Sequence, residues 1–425
     1  MGRRTRYLVL CIASALAAIP LSAQQPQTYS WQQLRDKFEA GNSTLRAGQL
    51  NIEESKAQET TAYLRPNPDF ALSTDGTQLT PYQGVYRPFA GTQFSPSVSY
   101  LHERNHQREL RLESAQKGTS VAQSQQQDLE RNLLFNLRNA FVQALQAKAI
   151  LAVAKENLDY YDRVLAISRT QLSAGNISQV DLDRLELQRV QYEAELQTAD
   201  TSVRTARIQL LMLMNDRTPV DQFDVSGTFD FAGPLDALDS FHRIALDTRP
   251  DLRAAMQTVN KAKTDHQLAI ANGSADPTFS AWWTHNPSFN NIYDYNTIGA
   301  SISIPLRIFD RNQGEKERTD IEIRRTERLQ EAATAQIFND VDSAWTTVNS
   351  SLTLLRPYKD KYLAQALRVR DTMTFAYQRG GASLLDFLSA QNDYRSTQLN
   401  YLNLVGSYLT AANQLNLAVG REVIQ

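Results

Sequence analysis

Between positions 97 and 218 the chain carries no proline, and its only glycines there are Gly118 and Gly175. Proline and glycine are the residues that most readily end helices, so their scarcity over such a length predicts very long helix. A helix from about Glu103 to about Leu172 would extend roughly 100 Å at 1.5 Å per residue, far beyond what a globular domain requires. A rod of that length needs partners packed along it.

The partners come from a repeat. Landmarks recur at a spacing of about 205 to 209 residues, a signature of tandem architecture. Leu45-Arg46-Ala47 returns as Leu252-Arg253-Ala254, each in an amphipathic helix that stops before a proline island at Pro66-Asn67-Pro68 or Asp276-Pro277. Arg104-Asn105 returns as Arg311-Asn312, each just after a strand-like segment. Gly175, Ser178 and Asp181 return as Gly380, Ser383 and Asp386, each at a break between helices. The reading is a first repeat over 24–215, a linker rich in Asp, Gly and Pro over 216–240, and a second repeat over 241–425.

After each break the apolar residues step by three and four. Leu196, Ala199, Val203, Ala206, Leu210 and Leu213 do so in the first repeat, and Tyr401, Leu404, Tyr408, Ala411, Leu415 and Ala418 in the second. This is a coiled-coil seam. Leu134, Leu137, Phe141 and Ala144 supply a similar stripe on the preceding helix, so the helices are expected side by side.

Each repeat also holds one insert, at about 69–101 and 278–304, where the period changes to two. Phe279, Ala281 and Trp283 alternate with Ser280, Trp282 and Thr284, while Ile298, Ala300, Ile302 and Ile304 alternate with Gly299, Ser301 and Ser303. Phe70 and Leu72, with Val98 and Tyr100, give a weaker version. These are strand hairpins with one apolar and one mostly polar face. Each segment has roughly the 9 to 11 residues that cross a bilayer as tilted strand. The loop of the second pair is aromatic, with Phe289, Tyr293 and Tyr295 near the position of an interfacial girdle. Small soluble sheets capping a helical rod are the plainer alternative.

The N-terminal segment places Arg3, Arg4 and Arg6 before an apolar run from Tyr7 to Ile19 and then Leu21-Ser22-Ala23, so residues 1–23 read as a secretory signal peptide. The sole cysteine, Cys11, lies in that run behind Leu8-Val9-Leu10, which are not the small residues of a lipoprotein site. An exported chain without it has no disulfide, no thiolate metal site and, by this reading, no lipid anchor. The five histidines are scattered except for His102 and His106, which read as a solvated helix face. With the leader arginines gone, 41 basic residues face 46 acidic ones, and nothing suggests a nucleic-acid partner.

Four strands cannot close a transmembrane barrel, for which about eight is the minimum, and open sheet edges are not tolerated in lipid. Membrane strands here therefore require several chains to share one barrel, of eight, twelve or sixteen strands for two, three or four copies.

The plan of helix, strand pair, long helix, glycine break and heptad helix resembles the TolC-type outer-membrane efflux family over nearly all the exported chain. Ile304-Pro305-Leu306-Arg307-Ile308-Phe309-Asp310-Arg311-Asn312-Gln313-Gly314 resembles the end of the family's strand and the start of its long helix. Tyr377-Gln378-Arg379-Gly380-Gly381-Ala382-Ser383-Leu384-Leu385-Asp386 is similar to its periplasmic tip. The resemblance implies a mainly α fold with a β-barrel contribution: a trimeric helical tunnel in the periplasm and a shared twelve-stranded barrel in the outer membrane of a Gram-negative bacterium. It further implies a passive exit duct coupled through a periplasmic adaptor to an inner-membrane transporter. The Asp310–Gly314 stretch leans toward components of cation-efflux systems, with drug and protein export also open.

A duct does no chemistry, and the sequence offers no phosphate loop, nucleophile constellation or metal-ligand spacing, so no cofactor is expected. The candidate sites are turns and rings. Gly175-Asn176-Ile177-Ser178 and Gly380-Gly381-Ala382-Ser383 are helix-reversal turns that the resemblance makes adaptor-docking tips. Asp181 and Asp386 would form rings of three carboxylates in a trimer, favouring cations. By resemblance Asp386 matches a gate aspartate and Tyr377 a tyrosine that helps hold the gate shut. Ala382 and Ser389 stand where the family prototype has an arginine and a second gate aspartate, so the latch must differ, and Arg379 is the candidate substitute. The plainer reading of both aspartates is helix capping. A soluble periplasmic coiled-coil adaptor is the rival for the whole chain, a periplasmic enzyme a weaker one, and an autonomous porin has too few strands to be considered.

Overall fold

The computed structural model describes residues 27–81, 83–89, 91–287 and 295–424. The leader expected over 1–23, together with Phe289 and Tyr293 of the second hairpin loop, lies outside the described residues. The first half runs β1 (Gln27–Tyr29), α1 (Trp31–Gly41), α2 (Ser43–Tyr63), β2 (Asp69–Asp75), β3 (Gln93–Leu101), α3 (Gln107–Ser173) and α4 (Gln179–Leu213). A short strand, β4 (Phe223–Val225), follows. The second half runs α5 (Leu238–Thr248), α6 (Pro250–Ala271), β5 (Thr278–Asn286), β6 (Tyr295–Ser303), α7 (Gln313–Pro357), α8 (Leu363–Gln378) and α9 (Leu384–Val419). A π-helical turn at Tyr358–Tyr362 joins α7 to α8.

The 67 residues of α3 form one unbroken helix, as the missing breakers predict. Its start differs by one turn from expectation, and the reason is local. Asn105 and His106 both take left-handed backbone (φ 53° and 58°), and so does Asn312 before α7 (φ 62°). Asparagine tolerates that region better than most residues, which gives the repeated Arg-Asn pair its structural meaning. His102 and His106 consequently precede the helix rather than sharing its face, and the His106 side chain is 87% exposed.

The first half of α3 packs on α2 and α6, and the second half on α4 and α9. Gln126 donates to Leu45 O (3.0 Å) and Ser124 to Gln257 (2.7 Å) above, while Asn157 donates to Gln398 (3.3 Å) and Asn413 to Phe135 O (3.1 Å) below. The heptad residues are the core of this lower half: Ala199, Val203, Ala206, Leu210, Tyr408, Ala411, Leu415 and Ala418 are all buried. Three apolar clusters follow. One seats Leu34 and Phe38 of α1 on Leu137, Phe141 and Leu210; another seats Phe241 and Ala245 of α5 on Ile337, Val341 and Leu415. The third lies toward the glycine breaks around Tyr161, Leu185 and Phe387. The linker is not featureless, because its β4 pairs in parallel with β1 beneath α1.

The two hairpins form one antiparallel sheet in the order β2-β3-β5-β6. Its register aligns the apolar residues. Phe70, Val98, Ala281 and Ala300 fall in one row across the four strands, and Tyr100, Phe279 and Ile302 in the next. Leu72 pairs with Pro96, and Trp283 with Ile298, on the same face. The other face is mostly polar, with Asp69, Ser99, Ser280 and Ser301 in register and Trp282 between Ser97 and Gly299. Among the described residues no helix is long and apolar enough to cross a membrane.

Candidate functional site

The two glycine breaks lie side by side at the end of the molecule farthest along α3 from the sheet. Each is built the same way. Gly175 (φ +77°) accepts no competing contact, its amide donates to Leu172 O (2.9 Å), and Asn176 N reaches back to Gln171 O (2.9 Å). At the second break Gly380 (φ +75°) donates to Tyr377 O (3.0 Å), and Gly381 N to Ala376 O (2.8 Å). The positive φ that glycine takes without strain satisfies the last helical carbonyls before the chain reverses.

The next helix is then capped. Ser178 Oγ accepts from Asp181 N (3.1 Å) and donates to its carboxylate (2.8 Å). Ser383 repeats this with Asp386 (3.2 and 2.7 Å), and the Ser383 amide also donates to that carboxylate (3.3 Å). Capping is thus a real role of both aspartates. It does not exhaust them, since Asp386 is exposed and Asp181 half-exposed.

Gln171 Nε2 donates to Gln378 O (2.7 Å), tying the end of α3 to the end of α8. Between the tips lies a cleft of about 1020 Å³ lined by Asn176, Asp181, Arg184, Tyr377, Arg379 and Ser383, among others. Tyr377 is buried and stacks on Phe387 with centroids 5.0 Å apart. Its enclosed hydroxyl lies beside Ser168, which donates to Val164 O (3.1 Å) and keeps lone pairs that can accept the phenol proton. Burial, helped by the charge of Asp181, pushes the Tyr377 phenol above its ordinary range, so it remains a donor at any physiological pH. Arg379 is exposed, lies over the Phe375 ring at 4.3 Å, and forms no ion pair among the described residues. Within one chain it latches neither aspartate.

A second cleft, of about 520 Å³ between α1, α3, α6 and the end of α9, gathers Arg35, Arg131, Arg138 and Arg253. These arginines are engaged within the chain. Arg35 pairs with Glu39 (2.7 Å), Arg131 with Asp128 and Leu417 O, Arg138 with Glu422 (3.5 Å) above Trp31, and Arg253 with Gln127 (3.2 Å). This is a structural network that sequence reading did not identify, because it assembles segments around Arg35, Arg131, Arg253 and Glu422 that are scattered along the chain.

A membrane-type sheet at one end of a helical wall, with two reversing tips at the other, meets its decisive match in comparison with known proteins. The model for the outer membrane efflux protein family matches residues 34–216 and 242–421. The chain belongs to that family. It is an outer-membrane efflux channel, the exit duct of a tripartite system, with a helical extension into the periplasm. A soluble coiled-coil scaffold is thereby set aside.

Relatives of this efflux protein differ widely in sequence. It is 23% identical over 389 residues to the cobalt-zinc-cadmium resistance protein CzcC of Cupriavidus metallidurans, covering 89% of this chain and 87% of the other. It is 25% identical over 321 residues to the pyoverdine export outer membrane protein OpmQ of Pseudomonas aeruginosa, covering 74% and 66%. The fold matches the solved structure of the transmembrane channel CusC with a TM-score of 0.76, 18% identity and 94% coverage of both chains.

Proposed function

We propose that three copies of this efflux protein close into one passive duct, a twelve-stranded barrel above and a helical tunnel below. The observation that carries this reading is the sheet: four strands, one apolar face, and outer margins at β2 and β6 that a single chain leaves unjoined. In lipid those margins must be paired, and pairing β2 of one copy with β6 of the next closes them. The division into a leader over 1–23, repeats over 24–215 and 241–425 and a linker over 216–240 belongs to the same proposal, supported by the recurrence of the element order.

On this reading the tips at Gly175–Ser178 and Gly380–Ser383 dock an adaptor that couples the duct to an inner-membrane transporter. The cleft between them supports that role. Asp181 and Asp386 ring the narrow end and favour cations, while Arg379 finds its partner on a neighbouring copy when the end is shut and Tyr377, stacked on Phe387, braces the turn from within. An exposed guanidinium without an ion pair among the described residues is what such a contact requires. The test is outer-membrane fractionation followed by mass measurement in detergent. A detergent-requiring particle of three chains is expected, and a protein soluble without detergent would overturn the reading.

A further inference from the structure

The arginine cleft holds more positive charge than its own carboxylates neutralise. Five guanidiniums line it, those of Arg35, Arg131, Arg138, Arg253 and Arg421, against the two carboxylates of Glu130 and Glu422. The chain as a whole has a formal net charge of −2, so this surplus is local. A guanidinium presents five N–H donors in a planar fork that suits a carboxylate. Arg35 and Arg131 already have such partners at short range in Glu39 and Asp128. The other three do not. Arg138 meets a carboxylate only in Glu422, at 3.5 Å, and Arg253 reaches the neutral amide of Gln127. Arg421 is exposed and makes no hydrogen bond or ion pair among the described residues.

The fold fixes these groups beside apolar surface. Leu134 and Phe135 of α3 and Leu417 of α9 line the same cleft. Trp31 of α1 supports Arg138, whose guanidinium stands 4.4 Å from the indole centre. Gly420 (φ +88°) turns the chain at the end of α9, and Asn416 Oδ1 accepts from the amides of Val423 (2.8 Å) and Ile424 (2.9 Å). That double contact pins the tail and leaves Arg421 and Glu422 at the edge of the cleft. Burial holds the Arg138 guanidinium below its ordinary range, and Glu422 is the one carboxylate that opposes this. None of the lining residues belongs to β2, α2, β6 or α7, so one copy builds the cleft alone.

We propose that this cleft binds a small amphipathic anion, with its carboxylate on Arg138 and its apolar body against Leu134, Phe135 and Leu417. The volume of about 520 Å³ is that of a small-molecule site, and the mixture of apolar lining with a few convergent charges is what such sites share. A ligand carboxylate can meet Arg138 as a bidentate pair where Glu422 makes one long contact. Glu422 then returns to water at little cost, since half of its side chain is already exposed. Arg253 and Arg421 add attraction at the entrance, while Arg35 and Arg131 keep their own carboxylates. The site shares no residue with the tips, the gate aspartates or the sheet, so it stands apart from the duct reading.

Calorimetric titration of the purified channel in lipid nanodiscs, with empty nanodiscs subtracted, tests this with 2-naphthoate as the probe and 2-naphthamide as its uncharged counterpart. Saturable binding of one naphthoate per chain is expected, with the amide about tenfold weaker or worse. Arg138→Gln should weaken naphthoate binding by a similar factor. Glu422→Gln, which frees Arg138 from its present partner, should tighten it several-fold. Opposite signs from the two members of one ion pair separate a ligand site from a folding defect, because a defect does not tighten binding. Absence of saturable binding overturns the proposal. Equal affinity for the amide, or a Glu422→Gln channel that binds naphthoate no better than native, overturns it as well.

Discussion

Gly175 and Gly380 have open space where a side chain would begin, so any cost of substitution there comes from backbone alone. Alanine forced into the left-handed region costs about 1–2 kcal/mol, whereas asparagine visits it readily. Gly380→Ala should therefore loosen the 376–384 turn, seen as faster amide exchange, and weaken binding to the cognate adaptor, while Gly380→Asn retains both. If asparagine proved as harmful as alanine, the glycine would be needed for close approach of the adaptor and not for its φ. Glu130, in the arginine cleft, offers a second residue-scale test. Burial first, and then the charge of Glu39, raise its pKa above 4.5, with Arg35 opposing. A carboxyl whose folded pKa is raised destabilises the fold when ionised, and the cost fades as pH falls through the folded value toward the unfolded one. Glu130→Gln should accordingly raise the thermal midpoint at pH 7 and show no advantage below about pH 4. A gain that persisted in acid would assign the effect to packing.

At the scale of elements, the apolar face of the sheet predicts opposite outcomes for adjacent residues. Ile298 lies on that face, 85% exposed in the single chain, and Thr297 on the polar one opposite Thr284. Ile298→Arg should cost about 2–4 kcal/mol in the bilayer and deplete the protein from the outer membrane, whereas Thr297→Arg should insert and change conductance. Equal insertion of both would remove the lipid-facing assignment. The same scale shows what the sequence discloses. Alternation over 278–304 and the absence of breakers over 97–218 were legible because each is a long run of one local rule. The seats of α1 and α5 were harder to foresee, since their anchors, such as Phe38 on Leu137, are long-range contacts. The β1–β4 pairing joins residues nearly two hundred positions apart, and three-residue strands carry no usable period. The break in α7 had a signal in Pro357, but proline alone does not say whether a helix ends, kinks or continues through a π turn.

At the scale of the molecule, one lateral margin is formed by β2 with α2 and the other by β6 with α7. Strand pairing between copies is the step that turns a four-stranded sheet into a closed wall, and it makes a specific geometric demand. Cysteines at Ser73 on β2 and at a series of positions along β6, such as Thr297 and Ser301, should cross-link between copies at one register and its immediate neighbours. The exported chain has no native cysteine to confuse the pattern if cleavage follows residue 23. Single-strand pairing around a ring permits each copy two neighbours, so oxidation should give a ladder that stops at three chains. A ladder stopping at two would mean an eight-stranded barrel, too narrow to leave an aqueous channel. One that stopped at four would give sixteen strands and a porin-like lumen. A ladder that stops at three is the outcome the proposed trimer predicts, with Ser99, Ser280 and Ser301 in register and Trp282 over Gly299 on the face that would line twelve strands, so the ladder tests that proposal directly.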